Sequence, residues 1–388
     1  MNRYIKRLAL MIPPVKRRYD DLENLRKENE SIKLQFEAKL REYEARLYEY
    51  EAGYGCSFIQ QFSLIFDGRV DTENAGFSFC CEPLPNIPRT ALRETGKESI
   101  ESFIAMREKI LASSRTELHN GCAECSCLRR EIWQNENLIH YVNLSMYPSP
   151  CDCMCVYCLY RENDSDAFTR AEVIEGYEKV FDTLDYAKKE GLIASDAGWQ
   201  VSAGEITIHP YRDRIMDLIK KQSVRFCTNC FRFDKEIGKH LAANPRSCIN
   251  LSIDSGTPET WHKVKGVNNF KVIVDNLAKY YKSSSRDGQI GLKYILLPDI
   301  NDNHEDYSGV IGLMKNYGVN ALDLSCDVRC KYNKSEEEAK KLIRAVGTLV
   351  AMLIKNRLKH TLLNNFSPSE QTGIETFAEE LLNSSGEN

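Results

Sequence analysis

At 388 residues the chain is longer than one compact core usually carries, and 42% hydrophobic with 28% charged residues fits a water-facing globular fold. A net charge of -4 carries no nucleic-acid signature, and no apolar run approaches the ~20 residues of a membrane-spanning helix. The 15 cysteines are odd in number and tightly clustered, at 80/81, 122/125/127, 151/153/155/158, 227/230 and 326/330. The longest N-terminal apolar stretch, residues 8–14, is too short for a secretory signal, so a cytoplasmic location is expected. Clustered thiols there read as metal sites, and thiolates select zinc or iron-sulfur clusters.

In chain order, residues 1–18 carry Arg3, Lys6, Arg7, Lys16, Arg17 and Arg18 with no acid, which suits either a solvated tail or contact with an anionic membrane surface. Residues 19–53 predict one long helix with an imperfect heptad seam through Leu22, Leu25, Ile32, Phe36, Tyr43, Leu47 and Tyr50. Both a homodimeric coiled coil and a helix lying on the protein's own body fit that seam. Residues 54–134 predict a small Cys-rich domain, with a hairpin-like pair from the Phe62–Phe66 and Phe77–Phe79 runs and a helix near 97–113.

From 135 to 359 the pattern alternates. Strand-like runs fall at 138–145, 198–203, 223–228, 248–254, 289–297 and 320–326, with amphipathic helices between and after them. Six β/α steps predict an α/β fold with a parallel sheet, open or curved into a partial (β/α)6 TIM-like barrel. Chemistry in such folds sits at the carboxyl ends of the strands. Residues 360–388 are expected to be a fraying tail.

Cys151, Cys155 and Cys158 follow the first of these strands with C-x3-C-x2-C spacing. That motif, in that place, resembles the radical SAM superfamily, and the resemblance runs over about residues 138–330. It implies a [4Fe-4S] cluster with three thiolate ligands and one open iron. In the family that iron takes the amine and carboxylate of S-adenosyl-L-methionine, and one electron then releases a 5′-deoxyadenosyl radical that removes a hydrogen atom from substrate. The rival for the motif is a structural zinc knuckle completed by another cysteine pair. Cys153 is either a fourth ligand or a thiol turned away from the cluster.

Other stretches extend the resemblance. Tyr157 stands where the family sets an aromatic against adenine. Ser202-Ala203-Gly204-Glu205 is similar to the family's Gly-Gly-Glu segment, which implies that Gly204 and Glu205 receive the methionine amine. Cys227-Thr228-Asn229-Cys230 resembles its Thr-Asn-Gly turn. Residues 251–266 resemble its fourth strand and the helix start after it, with Ser252 and Asp254 on one strand face as candidates for the ribose hydroxyls. In that run Thr257-Pro258 also reads as a helix N-cap and first turn. Lys293 is either a carboxylate binder or a surface lysine at a strand end.

Before the barrel, Cys56, Asp67-Gly68, Cys80-Cys81 and Cys122-x2-Cys125 resemble the SPASM auxiliary-cluster domain, which in the family follows the barrel. The resemblance implies a second [4Fe-4S] cluster on Cys56, Cys80, Cys122 and Cys125. Cys81 and Cys127 are alternates, and a four-thiolate zinc site has the same ligand count. Cys326 and Cys330, with Cys230, are candidate hydrogen donors to a substrate radical, against the plain reading of small core residues. The whole predicts an oxidoreductase or epimerase for a small molecule or sugar, served by an electron donor such as flavodoxin or ferredoxin. The alternatives are a peptide-modifying SPASM-type maturase and a non-enzymatic metal-binding scaffold with a coiled-coil arm.

Overall fold

The structure, a computed structural model, describes residues 13–384 except 67, 74, 81–87, 114–121, 123, 124, 126, 134–136, 160–165, 203, 331–333 and 364. It divides into two compact units, Met1–Tyr54 with Arg129–Trp133, and Gly55–Leu128 with Gln134–Asn388. Most of the basic N-terminal segment lies outside the described residues. Among those described, no helix is long and apolar enough to cross a membrane.

The first unit is dominated by helix α1 (Pro13–Glu51). Nothing after Pro14 interrupts it, because the segment lacks both Gly and Pro. Its apolar seam residues Leu22, Leu25, Ile32, Phe36, Tyr43 and Leu47 are all exposed. The short strands β1 (Gly53–Gly55) and β5 (Arg129–Glu131) pair with each other. Trp133 Nε1 donates to the Gly53 carbonyl at 2.9 Å.

The second unit is built on an eight-stranded, all-parallel sheet. Its strands are β2 (Ser63–Phe66), β6 (Ile139–Leu144), β7 (Ile193–Val201), β8 (Ser223–Cys227), β9 (Cys248–Ser252), β10 (Ile290–Leu296), β11 (Ala321–Cys326) and β12 (Lys359–Leu362), in the order β12-β11-β10-β9-β8-β7-β6-β2. Six consecutive β/α steps run from β6 to β11, as the alternation predicts, and one edge strand is added at each side. The sheet does not close into a barrel. Parallel strands require crossovers, and helices supply them. These are α4 (Ala171–Lys189), α5 (Arg212–Ile219), α6 (Lys235–Ala243), α7 (Pro258–Lys265), α8 (Phe270–Ser283), α9 (His304–Asn316) and α10 (Glu336–Lys355). Their apolar faces bury Trp199, Phe226, Leu251, Leu292 and Leu324 on one side of the sheet.

Two expectations change. The hairpin-like pair is reduced to one antiparallel bridge, Ile65 to Ser78, because β2 pairs along its length with β6 instead. Strands β3 (Gly76–Phe77) and β4 (Thr90–Ala91) pair with each other. Through Ser384 the C-terminal stretch is regular structure rather than a fraying tail. It supplies β12 and then α11 (Pro368–Ser384), which buries Ile374 and Ala378. A Cβ on Gly347 of α10 would lie 2.8 Å from the Phe377 ring, so the glycine lets the two helices approach closely.

Candidate metal centre and cofactor site

The loop carrying Cys151, Cys155 and Cys158 leaves the carboxyl end of β6 and is strapped down on two sides. On one side it lies along the end of α7, whose last carbonyls have no partners within the helix. Met154 N–H donates to the Lys265 carbonyl at 2.8 Å and Val156 N–H to the Val264 carbonyl at 2.9 Å. Gly266 ends α7 at φ +71°, and a Cβ there would approach Met154 Cβ to 2.8 Å. On the other side Glu205 N–H donates to the Pro150 carbonyl at 2.7 Å. Gly204 sits at φ +57°, where a Cβ would come within 2.5 Å of that same carbonyl oxygen. Only glycine satisfies both demands.

The thiols within this loop are not equivalent. Cys153 is the most buried of the four, and its thiol is close enough to Cys151 and Cys155 to act on both. The contact holds Cys151 below the ordinary thiol range and, with Lys265 and Tyr157 assisting against burial, brings Cys155 down to about 6. The same contacts push the Cys153 thiol far up. Asn229 Nδ2 donates to Cys151 Sγ at 3.7 Å. Lowered thiols with N–H donors aimed at sulfur suit metal-bound thiolates. Among the described residues, no three His, Cys, Asp or Glu side chains converge tightly enough to hold one metal ion. A cubane asks for wider spacing than a single ion, since each of the three thiolates would meet a different iron.

Glu205 is fully buried. Its carboxylate accepts from Thr207 N–H at 3.1 Å, from the Thr228 hydroxyl at 3.0 Å and from Asn229 N–H at 2.7 Å. Burial raises its pKa, and these bonds act against the rise. The Thr228-Asn229 turn is therefore what fixes this carboxylate. Cys230 stands at φ +56°, the conformation a glycine would adopt freely. Ala203 lies outside the described residues.

Ser252 ends β9, but Asp254 lies past the strand at φ +48°, so the two do not share a strand face. Asp254 is completely buried and both its oxygens are taken. Oδ1 accepts from Ile295 N–H at 2.6 Å. Oδ2 accepts from the Tyr157 hydroxyl at 2.6 Å and forms a buried ion pair with Lys265. Lys265 Nζ also donates to the Tyr157 hydroxyl at 2.5 Å and lies 5.0 Å from the centre of its ring. Asn301 Nδ2 bonds the Asp254 carbonyl at 2.8 Å. Asp254 thus orients Tyr157 beneath the cysteine loop rather than reaching outward. The sequence reading assigned no role to Lys265 or Asn301, although Lys265 stands inside the run 251–266.

A cavity of about 400 Å³ opens beside this loop. Val156, Leu296, Leu297, Cys326, Asp327 and Lys334 contribute to its wall. Cys326 ends β11, is 3% exposed, and its thiol donates to the Asn365 carbonyl at 3.3 Å. Cys330 closes the short turn Val328–Cys330, and its side chain is outside the described residues. Cys230 is fully buried in the main apolar core. His209 is buried, bonds the Tyr177 hydroxyl at 3.0 Å through Nε2, and accepts from Tyr211 N–H through Nδ1.

The second cysteine group gathers in part. Cys56, Cys122 and Cys125 are close enough to act on one another electrostatically. Burial raises the Cys56 thiol and, with its two neighbours, pushes Cys122 up to about 11. Cys56 caps the short helix α2 (Ser57–Gln60). Arg107 from α3 (Gly96–Ser113) grips that turn, donating to the Ile59 and Gln60 carbonyls at 2.8 and 2.9 Å. Cys80 is buried in the apolar cluster against which Cys56 packs. Cys127 N–H donates to Cys125 Sγ at 3.4 Å. Cys81 and Asp67 lie outside the described residues.

The model of the Radical SAM superfamily matches residues 150–308, which hold the cysteine loop, Glu205, Asp254 and Lys265. A GTP 3′,8-cyclase of Vibrio vulnificus strain YJ016 is 24% identical over 173 residues, 42% of this chain and 48% of that protein. A GTP 3′,8-cyclase of Actinobacillus succinogenes is 23% identical over 171 residues, 43% of this chain and 48% of that protein. The chain spans about half the length of the curated relatives it matches. Among solved structures, Streptococcus suis SuiB bound to precursor peptide SuiA aligns at TM-score 0.45 and 12% identity, over 73% of this chain and 56% of that one. Native anSMEcpe with bound AdoMet aligns at TM-score 0.41 and 16% identity, over 55% of this chain and 61% of that one.

Proposed function

Residues 150–308 form a radical SAM superfamily domain, and on that premise we propose an enzyme that cleaves S-adenosyl-L-methionine reductively and takes a hydrogen atom from a small molecule or sugar, in an oxidation or an epimerisation. The observation that carries this reading is the strapped loop of Cys151, Cys155 and Cys158, two of its thiols already lowered, beside the cavity of about 400 Å³. When bound by these three thiolates, a [4Fe-4S] cluster supplies the electron and an open iron for the methionine end of the cofactor.

The chain's own residues do the rest. Glu205, fixed by Thr228 and Asn229, keeps acceptor capacity for an ammonium group. Gly204 keeps the backbone close to the loop. Tyr157, held by Asp254 and Lys265, sets the pitch of the loop between two of the ligands. Ser252, at the end of β9, is the hydroxyl left for the ribose. The apolar walls at Val156, Leu296 and Leu297 exclude water from the adenosine. Cys326 and Cys330, at the end of β11 and in the turn after it, are the thiols proposed to return a hydrogen atom in an epimerisation. Cys56, Cys80, Cys122 and Cys125 are the ligands of a second cluster that accepts an electron in an oxidation. Flavodoxin or ferredoxin is the electron donor. The exposed seam of α1 supports pairing with a second copy of the chain.

The test is anaerobic reconstitution followed by iron and sulfide counts, then dithionite and S-adenosylmethionine with detection of 5′-deoxyadenosine. About eight irons, and deoxyadenosine lost in Cys155→Ala, are expected. About four irons would remove the second cluster, and no deoxyadenosine from the wild type would overturn the reading.

A further inference from the structure

The two faces of the sheet differ in chemistry. Register fixes which residues share the face that the helices leave open. Asn143, Gln200, Arg225 and Cys248 form one row across β6, β7, β8 and β9. Ser252, Lys293, Asp323 and Thr361 form another across β9, β10, β11 and β12. Cys248 and Ser252 are four residues apart on β9, so by strand alternation both rows face the same way. Each of these residues except Asn143 is at least partly exposed. The rows between them, such as Val142-Trp199-Val224 and Leu251-Leu292-Leu322, are buried under helices.

The open face is polar throughout those rows, and its charges do not balance. It carries the cations Arg225 and Lys293 and the single acid Asp323. Asp323 accepts from Asn250 Nδ2 at 3.4 Å. Neither cation forms an ion pair with a described residue. The guanidinium of Arg225 bonds the Cys248 thiol, a weak acceptor for a group with five N–H donors. Both cations act on the thiol of Cys227, at the end of β8, as does the buried carboxylate of Glu205, so the two cations adjoin a common region although they rise from strands two apart. Neutral donors and acceptors adjoin that region. Ser202 Oγ donates to Asn143 Oδ1 at 3.3 Å, and Gln200 Nε2 donates to Ser202 Oγ at 3.5 Å.

Arg225 is exposed and Lys293 half-buried, and the one acid in these rows, Asp323, acts on Arg225, so the rows keep a net positive charge that an anion would balance. One carboxylate is satisfied by one arginine in a fork. Two cations approaching from different strands suit a phosphoryl group, which offers oxygens in several directions. The amides and hydroxyls suit a ligand rich in hydroxyls. We propose that this face binds a phosphorylated sugar, with Arg225 and Lys293 holding phosphoryl oxygens and Asn143, Gln200 and Ser202 reading hydroxyls. The assignment deepens the radical SAM reading, on which it rests, by naming the class of substrate.

Calorimetric titration of the full-length, anaerobically reconstituted protein tests it. The probes are glucose, gluconate, glucose 1-phosphate and UDP-glucose. At least one phosphorylated probe is expected to bind tenfold or more tightly than glucose and gluconate, and inorganic phosphate to compete with it. Arg225→Gln and Lys293→Gln are each expected to weaken that binding about 10- to 100-fold. Arg225→Lys should recover part of the loss, which separates lost charge from lost fold. Lys239→Gln, on an exposed helix surface, is the control. Equal binding of glucose, preference for gluconate, no binding of either phosphorylated probe, or affinity untouched by the Arg225→Gln/Lys293→Gln pair would each overturn the proposal. Deoxyadenosine formation by the wild type is scored separately, so failure of the family reading is told apart from failure of the phosphate site.

Discussion

The two cysteine groups of this chain meet opposite environments. In the 151–158 loop, the neighbouring Cys153 thiol, with Lys265 and Tyr157 assisting at Cys155, outweighs burial and lowers two thiols, Cys155 to about 6. Around Cys56 and Cys122, burial and mutual repulsion dominate, and Cys122 is pushed up to about 11. The first group has its polar support built before metal arrives. The second must shed protons as metal binds, so its ligation and its local order are coupled. A site can thus be prepared by the fold or completed by its metal, and one chain holds a candidate of each kind.

Breaking one ligand in each group gives the largest effect. Cys155→Ala should lose about four irons and all deoxyadenosine formation, while Cys122→Ala should lose only the metal of its own group. Metal analysis of both variants checks this. Equal losses in the two variants would mean that the groups are not independent sites.

The fold and the first group were largely legible because their signals are local. Alternation located all six strands from β6 to β11, and Thr257-Pro258 marked the start of α7, where Thr257 does accept from Thr260 N–H. The misses are non-local. Lys265 looks like one of several lysines closing a helix, and only folding reveals that its ammonium meets Tyr157, 108 residues earlier. Strands β2 and β12 are four residues each, and their places depend on which edge they reach. Asp254 was read by strand alternation, but the strand ends at Ser252 and the backbone then turns left-handed. The open-face cations were hidden for a similar reason. Arg225 and Lys293 are 68 residues apart in the chain, and only the sheet order brings their strands to either side of β9.

The contrast between the groups sharpens at Lys265. Lys265→Met leaves the Asp254 carboxylate buried without its counterion, at a cost of about 3–5 kcal/mol. Urea unfolding should show that loss, and the variant should retain less iron at the 151–158 loop than at the second group. Uniform loss from both groups would mean that Lys265 supports the fold in general and not this loop.

A smaller effect comes from pH. Burial pushes His209 down to about 4, so it is neutral in the fold, whereas in the unfolded chain it takes a proton near pH 6.5. Its contribution is complete above pH 6.5 and drains away as pH falls toward 4, reaching on the order of 3 kcal/mol. Tyr177, its bonding partner, also donates to the Pro148 carbonyl at 2.6 Å, just before the cysteine loop. Acid should therefore loosen the first group's mooring. His209→Gln should flatten the fall in Tm between pH 7 and 4.5, and an unchanged slope would count against this account.

The smallest expected effect isolates a single bond. Asn229 touches Cys151 through its side-chain amide but holds Glu205 through its backbone N–H. Asn229→Ala removes the first contact and keeps the second. The bond to sulfur is long at 3.7 Å, so the stability cost is about 1 kcal/mol or less. A thiolate that loses an N–H donor holds more electron density, so the reconstituted cluster should become harder to reduce. A redox titration followed by EPR reads that shift, and the second group, which Asn229 does not touch, should keep its potential. An upward shift, or equal movement of both signals, would show that Asn229 acts through the backbone turn rather than on Cys151.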